Sequence, residues 1–129
     1  MKNLNSYTDQ ARTKLFDKTG AFFAFGNDQF EAAKKEGVKY ASVGAGLICP
    51  VDNVKELIKG LDDTLKEGIK QDVKENGINK IILRELYNYE SFYTYETEDA
   101  TEALQIYGVT NEQIQAVFNK EIETNGHKH

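Results

Sequence analysis

The chain has 129 residues and a mass of 14.6 kDa, with 16 Lys and Arg against 21 Asp and Glu for a net charge of −5, and 40% of its residues are hydrophobic. This excludes a fibrous or disordered chain, and the length suits one hydrophobic core, so residues 1–129 read as a single domain. The acidic balance excludes general coating of nucleic acid, which needs cations to neutralise phosphates, and no apolar run is long enough to cross a membrane.

Leu4, Tyr7, Ala11 and Leu15 recur at helical steps, which predicts a helix over about residues 5–17 with Gly20 as its stop. Ala21-Phe22-Phe23-Ala24-Phe25 is short and wholly apolar, so it reads as a buried strand whose three phenylalanines anchor the core. Asn27 or Asp28 caps a short helix through Lys35, with Phe30 and Ala33 on one side and Gly37 beyond its end. A strand follows at Lys39 to Val43. Gly44-Ala45-Gly46 then either turns a hairpin into Leu47-Ile48-Cys49 or bulges one strand.

After Pro50 the apolar stripe Val54, Leu57, Ile58, Leu61, Leu65, Ile69 and Val73 marks a long helix over 53–75 that covers the sheet, with Asn53 and Glu56 spaced as a capping box. Gly60 and Gly68 inside it each cost about 1 kcal/mol against alanine, which points to close packing of a neighbour at that face. Beyond Asn76-Gly77, the spacing of Ile78, Ile81, Ile82, Leu86 and Tyr89 is helical, whereas Tyr87, Tyr89, Ser91, Tyr93 and Tyr95 alternate. We read helix to Tyr89 and extended chain from Phe92 to Glu96. Asp99 and Glu102 begin a short helix with Ala100, Ala103, Leu104 and Tyr107 inward, stopped by Gly108. In the last helix Thr110 and Gln113 form a capping box and Val109 and Ile114 a hydrophobic staple, ahead of Val117, Phe118 and Ile122. The fold class is therefore α+β: a small antiparallel sheet from residues 21–25 and 39–49, packed against a long helix and several shorter ones.

Little catalytic chemistry is on offer. Cys49 is the sole cysteine, so it forms no disulfide within the chain and no Cys cluster for zinc; it reads as a buried structural thiol in a reducing compartment. The only histidines, His127 and His129, lie in the terminal Gly126-His127-Lys128-His129, which argues against Ser-His-Asp or Cys-His catalysis. Glu85, Asn88 and Glu90 on one helix do not make an acid/base or cation site by themselves. No catalytic residue, metal ligand or cofactor is assigned, and the protein reads as non-enzymatic. Met1-Lys2-Asn3-Leu4-Asn5 lacks the apolar stretch of a secretory signal, so the expected location is the cytoplasm.

Two segments can bind something. Residues 84–95 hold four of the seven tyrosines, with carboxylates between them, and residues 85–123 carry nine acidic groups and only Lys120 as a base. Tyrosine couples a large rigid apolar body to a polar tip, the composition found at interface centres. This nominates Tyr87, Tyr93, Tyr95, Glu90, Glu96 and Glu98 as a protein-binding surface, which is also suited to pairing with itself in a homodimer. The alternative is a small-ligand or nucleotide site on the backbone of Gly44, Ala45 and Gly46 with Phe25 or Tyr40 beside it, since glycines let amides approach a phosphate. That loop lacks a third glycine at dinucleotide spacing and any Gly-Lys-Ser or Gly-Lys-Thr. The final two helices have helix-turn-helix length, but Asn111, Glu112, Gln113 and Gln115 are not the side chains of a DNA-reading helix, so the pair reads as a packing hairpin.

The stretch Phe22-Phe23-Ala24-Phe25-Gly26-Asn27-Asp28-Gln29-Phe30, with Gly44-Ala45-Gly46-Leu47-Ile48-Cys49-Pro50, forms one motif; Arg84-Glu85-Leu86 with Asn88-Tyr89-Glu90 and Tyr93-Thr94 forms another. Together they resemble a family of small uncharacterised proteins from phages, prophages and related bacterial genomes. In those proteins the second motif often reads Asn-His-Glu; here Tyr89 takes the middle place, which weakens the metal or acid/base role a histidine would imply. The resemblance implies an accessory protein of a mobile element and supplies no mechanism.

Overall fold

A computed structural model describes residues 2–125 of the chain, so His127 and His129 lie outside the described residues. The elements run α1 (Leu4–Thr19), β1 (Phe22–Phe23), α2 (Asn27–Ala33), β2 (Tyr40–Gly44), β3 (Leu47–Pro50), α3 (Val54–Asn76), α4 (Ile78–Asn88), α5 (Ser91–Thr94), α6 (Glu98–Leu104) and α7 (Asn111–Asn125). The class is α+β, with a small antiparallel sheet and a long helix among shorter ones. The chain divides into two compact units, Asn5–Gly68 and a second made of residues 2–4 and 69–125; α3 contributes residues to both.

In the first unit the sheet has the order β1-β3-β2, antiparallel throughout. Its central strand alternates, Leu47 and Cys49 buried and Ile48 and Pro50 less so, as a strand with one covered face must. Leu47, Cys49, Ala21 and Leu57 form the core, with Leu15, Phe16, Val43, Val54 and Leu61 packed around it. Both readings of the glycine loop hold together: Tyr40 to Ser42 pair with Pro50 to Ile48 as a hairpin, and the register slips between Ser42 and Gly44.

Three local expectations are corrected here. The strand at residues 21–25 is only Phe22–Phe23, and its phenylalanines do not all anchor the core. Phe22 is half-buried against the rings of Phe30 and Tyr40, while Phe23 and Phe25 are 51% and 75% exposed and stack on each other 6.0 Å apart. β1 is an edge strand: Phe23 pairs with buried Leu47 and so shares the core face, where its ring meets Phe16 at 5.6 Å, but at the margin of the sheet it stays half exposed, while Phe22 points to the other face. The short helix is capped by Gly26 rather than Asn27 or Asp28; Gln29 reaches back to accept a hydrogen bond from the Phe25 amide at 2.6 Å, and the helix stops at Ala33, which is exposed. The long helix is entered through a 3-10 turn, Val51–Asn53, in which Asn53 Nδ2 donates to the Thr19 carbonyl at 2.8 Å. Val54, Leu57 and Leu61 face the sheet, but Ile58 and Leu65 lie exposed, because the covered stripe is narrower than the run of apolar residues.

Gly60 has a neighbour close against it. A Cβ there would lie 2.5 Å and 2.8 Å from the two methyl carbons of Leu15, so α1 approaches α3 through the space that the missing side chain leaves.

The second unit is helical. Ile81, Ile82 and Leu86 of α4 form the centre of its core with Phe92, Ala100, Leu104, Ile114 and Phe118, so α5, α6 and α7 all pack on α4. The expected extended segment 92–96 is instead the single helical turn α5, bracketed by Glu90 and Tyr95 in left-handed conformation with φ of 55° and 62°. The alternating tyrosines thus reflect no strand: a left-handed residue at each end reverses the chain, and Phe92 reaches the core. The capping box of α7 forms as spaced, the Thr110 amide donating to Gln113 Oε1 at 2.7 Å and the Gln113 amide to Thr110 Oγ1 at 3.1 Å. Val109 and Ile114 join the same core, as the staple requires.

The approach of α1 to Gly60 is testable by a double-mutant cycle. Gly60→Ala gains about 1 kcal/mol of helix propensity in isolation. Against Leu15 it should nevertheless destabilise the protein in urea unfolding, and in a Leu15→Ala background that penalty should shrink by about 0.5–3 kcal/mol. Additive effects would contradict the contact.

Candidate functional site

A buried polar network missed by the sequence reading organises the helical unit. Asp72 of α3 is fully buried and Arg84 of α4 nearly so. Arg84 Nη1 and Nη2 donate to Asp72 Oδ1 and Oδ2 at 3.1 Å and 3.0 Å, a bidentate pair. The remaining donors are also used: Nη1 to the Lys2 carbonyl at 2.9 Å, Nη2 to the Tyr107 hydroxyl at 3.2 Å, and Nε to Glu85 Oε1 at 3.1 Å. A guanidinium has five N–H groups, and each has an acceptor here. The carboxylate is equally saturated, since Asn76 Nδ2 donates to Oδ1 at 2.8 Å and the Tyr107 hydroxyl to Oδ2 at 2.5 Å.

Burial alone would raise the Asp72 carboxyl. Hydrogen bonds from Arg84, Tyr107 and Asn76, with the Arg84 charge, outweigh that and hold it below its ordinary value. Burial lowers the Arg84 guanidinium, but its bonds to Asp72 and Tyr107 carry the net shift upward, and burial followed by the Asp72 bond drives the Tyr107 phenol above its ordinary range. A group with no lone pair or proton to spare cannot exchange one with a substrate, so this cluster is structural. Its signal in the sequence is a charge at a core position: Asp72 follows Ile69, and Arg84 follows Ile81, each by one helical turn.

Exposed aromatic and acidic side chains lie instead around α5. Tyr87, Glu90, Phe92 and Tyr93 line a cavity of about 370 Å³. Two of these rings belong to an aromatic ladder: Tyr87 and Phe92 are 4.7 Å apart, Phe92 stacks on Phe118 at 5.1 Å with planes 9° apart, and Tyr95 meets Phe118 edge-on at 6.0 Å. Phe92 and Phe118 belong to the core, so the ladder runs from core to surface. The Tyr87 hydroxyl donates to Glu121 Oε1 at 3.2 Å, and burial followed by the Glu121 charge and this hydrogen bond pushes the phenol up. Tyr93 stands at the rim, 80% exposed.

Of the residues nominated for protein binding, the structure therefore brings Tyr87, Glu90 and Tyr93 together. Tyr95 packs on Phe118, and Glu96 is exposed beyond it. Glu98 lines a different hollow with Thr101, Glu102 and Gln115. Phe92, which sequence reasoning placed in extended chain, is the floor of the cavity.

The residues of the alternative site are less well assembled. Phe25 lies against the glycine loop, so close that a Cβ at Gly46, whose φ is +80°, would sit 2.3 Å from its ring. Tyr40 pairs with Pro50 at the other end of the hairpin, its ring on Phe22 and Phe30 and its hydroxyl accepting from the Lys35 amide at 2.9 Å. Cys49 is buried, and burial followed by the Glu56 charge raises its thiol, the opposite of activation. Among the described residues no group of three His, Cys, Asp or Glu side chains is arranged to hold a metal, and no helix is long and apolar enough to cross a membrane.

The buried network predicts an asymmetry between single and double variants. Arg84→Met strands a buried carboxylate and should cost about 3–5 kcal/mol in urea unfolding, whereas adding Asp72→Leu should recover much of that loss. Because the native carboxyl lies below its unfolded value of about 3.9, its contribution is present above that pH and lost as the pH falls through the lower native value. That part of the acid sensitivity should be missing from Asp72→Asn. Equal costs for Arg84→Met and the double variant would contradict the network.

No curated protein and no solved structure matches this chain. Residues 4–124 match a family of unknown function, DUF7659, from the first residue of α1 into the last turn of α7. The chain belongs to that family.

Proposed function

We propose that this protein is a non-enzymatic binding module that receives a protein partner on the aromatic surface around α5. The observation that carries this reading is Tyr93, exposed at the rim of a cavity that is anchored to the core through Phe92 and its stack on Phe118. A rigid aromatic wall loses little entropy on binding, and tyrosine is enriched among the residues that dominate interface energies. Glu90, Glu96 and Glu98 give this side of the molecule its charge, which favours a basic partner and disfavours nucleic acid. The saturated Asp72–Arg84 cluster and the inert Cys49 offer no competing chemistry.

The likeness of its two motifs to proteins of phages and prophages supports the finer reading of an accessory protein of a mobile element, acting in the cytoplasm on a host or defence factor. A lone cysteine suits that compartment. A second copy of the chain is the simplest alternative partner.

Affinity capture from host-cell lysate, with light scattering of the purified chain, tests the reading. A stoichiometric partner, or the chain's own dimer, should be weakened about tenfold or more by Tyr93→Ala, as expected of a hot-spot residue. Phe25→Ala, on the sheet of the other unit, should leave it unchanged. Association indifferent to Tyr93→Ala, with circular dichroism intact, would overturn the proposal.

A further inference from the structure

The cavity at α5 has the chemistry of a receptor for one particular side chain. Among the described residues it is lined by Tyr93 and Tyr87, 80% and 46% exposed, by the nearly buried Phe92, and by Glu90, the one of these four that carries a carboxylate. Aromatic faces carry negative quadrupole charge and attract cations, and a carboxylate beside them adds a directed acceptor. The surrounding sequence reinforces this sign, since between residues 85 and 123 Lys120 alone is basic among nine acidic groups. A planar guanidinium stacks on a ring while donating in its own plane to a carboxylate; an ammonium is a compact, strongly hydrated charge that does this less well. At about 370 Å³ the cavity is at the small end for ligand sites, suited to one long side chain reaching in from a chain that passes outside.

Glu90, exposed to solvent, occupies a strained backbone position. Its φ of 55° and ψ of 30° are left-handed, a conformation that glycine or asparagine adopts more readily than glutamate. Its carbonyl accepts from the amides of Tyr93 and Thr94 at 2.9 Å and 3.1 Å, which ties the carboxylate-bearing residue to the turn that carries Tyr93. Glutamate is thus a poor choice for this turn and a suitable one for a cation in the cavity.

We infer that the cavity lined by Tyr87, Glu90, Phe92 and Tyr93 binds an arginine side chain presented by an extended segment of the partner protein. The inference rests on the protein-binding reading above and specifies the chemistry that the partner must present.

The test is an NMR titration of the full-length chain with an uncharged Gly-Ser peptide carrying one central arginine, alongside peptides with lysine or citrulline in its place. Saturable shifts should centre on the amides of Tyr87, Glu90, Phe92 and Tyr93, with lysine weaker by about threefold or more and citrulline weaker still. Glu90→Gln and Tyr93→Ala should each weaken the arginine peptide by about threefold or more, the scale of an exposed charged or cation–π contact. Glu90→Gly should raise the Tm by relieving the backbone while weakening the response at least as much as Glu90→Gln, which separates binding from folding. No saturable shift at these residues, equal response to arginine and citrulline, or free arginine amide matching the peptide would overturn the inference. The two readings fail separately. A captured partner lost with Tyr93→Ala but indifferent to Glu90→Gln and to competing arginine peptide would leave protein binding standing and remove arginine from it. A peptide response without any Tyr93-dependent partner would keep the arginine site and remove the partner.

Discussion

An aspartate and an arginine withdrawn from water must replace every hydrogen bond they surrender, and the helical unit of this protein is arranged around that requirement. Asp72 accepts four hydrogen bonds and Arg84 donates five, drawing in residues from α3, α4, the 3-10 turn that ends in Tyr107, and the segment before α1 through the Lys2 carbonyl. Hydrophobic packing is tolerant of small shifts; a bidentate ion pair with an additional phenol is not. Such a pair contributes little net stability compared with apolar residues of the same volume, because desolvation offsets most of the attraction. What it supplies here is position. It ties the end of α3 to the middle of α4, and α4 is the element on which α5, α6 and α7 pack.

Position matters because the exposed chemistry hangs from α4. Its last turn carries Tyr87, the left-handed Glu90 follows, and α5 drives Phe92 into the core while leaving Tyr93 outside. A four-residue helix has no stability of its own, since nucleation costs more than so few hydrogen bonds return. Its shape is imposed by Phe92 stacking on Phe118 from one side and by the two left-handed residues that bracket it. The cavity is therefore rigid where it meets the core and open where Tyr93 stands.

The legible parts of this fold were those where local sequence decides structure. Thr110 and Gln113 announce a helix start by spacing alone, and so does the stripe that ends in Val73; Gly60 announces a close approach, which Leu15 makes. The phenylalanines of residues 22–25 were misread because hydrophobicity does not tell an edge strand from a central one, and at the edge Phe23 stays half exposed although it shares the face of buried Leu47. Residues 92–96 were misread because alternation is also what results when a helical turn is framed by two left-handed residues, and neither Glu90 nor Tyr95 is of a type that signals that conformation. At the candidate site, Tyr87, Glu90 and Tyr93 were nominated from composition, whereas Phe92 needed the core to reveal its role. The polar network went unseen because a charged residue on an apolar helix face is recognisable only once its partner, twelve residues away in the chain, is found opposite.

The most direct measurement is a carbon-detected NMR titration of the Asp72 carboxyl in the intact, folded chain. If the network is as described, Asp72 stays ionised through the ordinary carboxylate range and gains a proton only at lower pH, as the fold is lost. A carboxyl that titrates at or above its ordinary value while the fold persists would contradict the account, since Arg84, Tyr107 and Asn76 could not then be holding it.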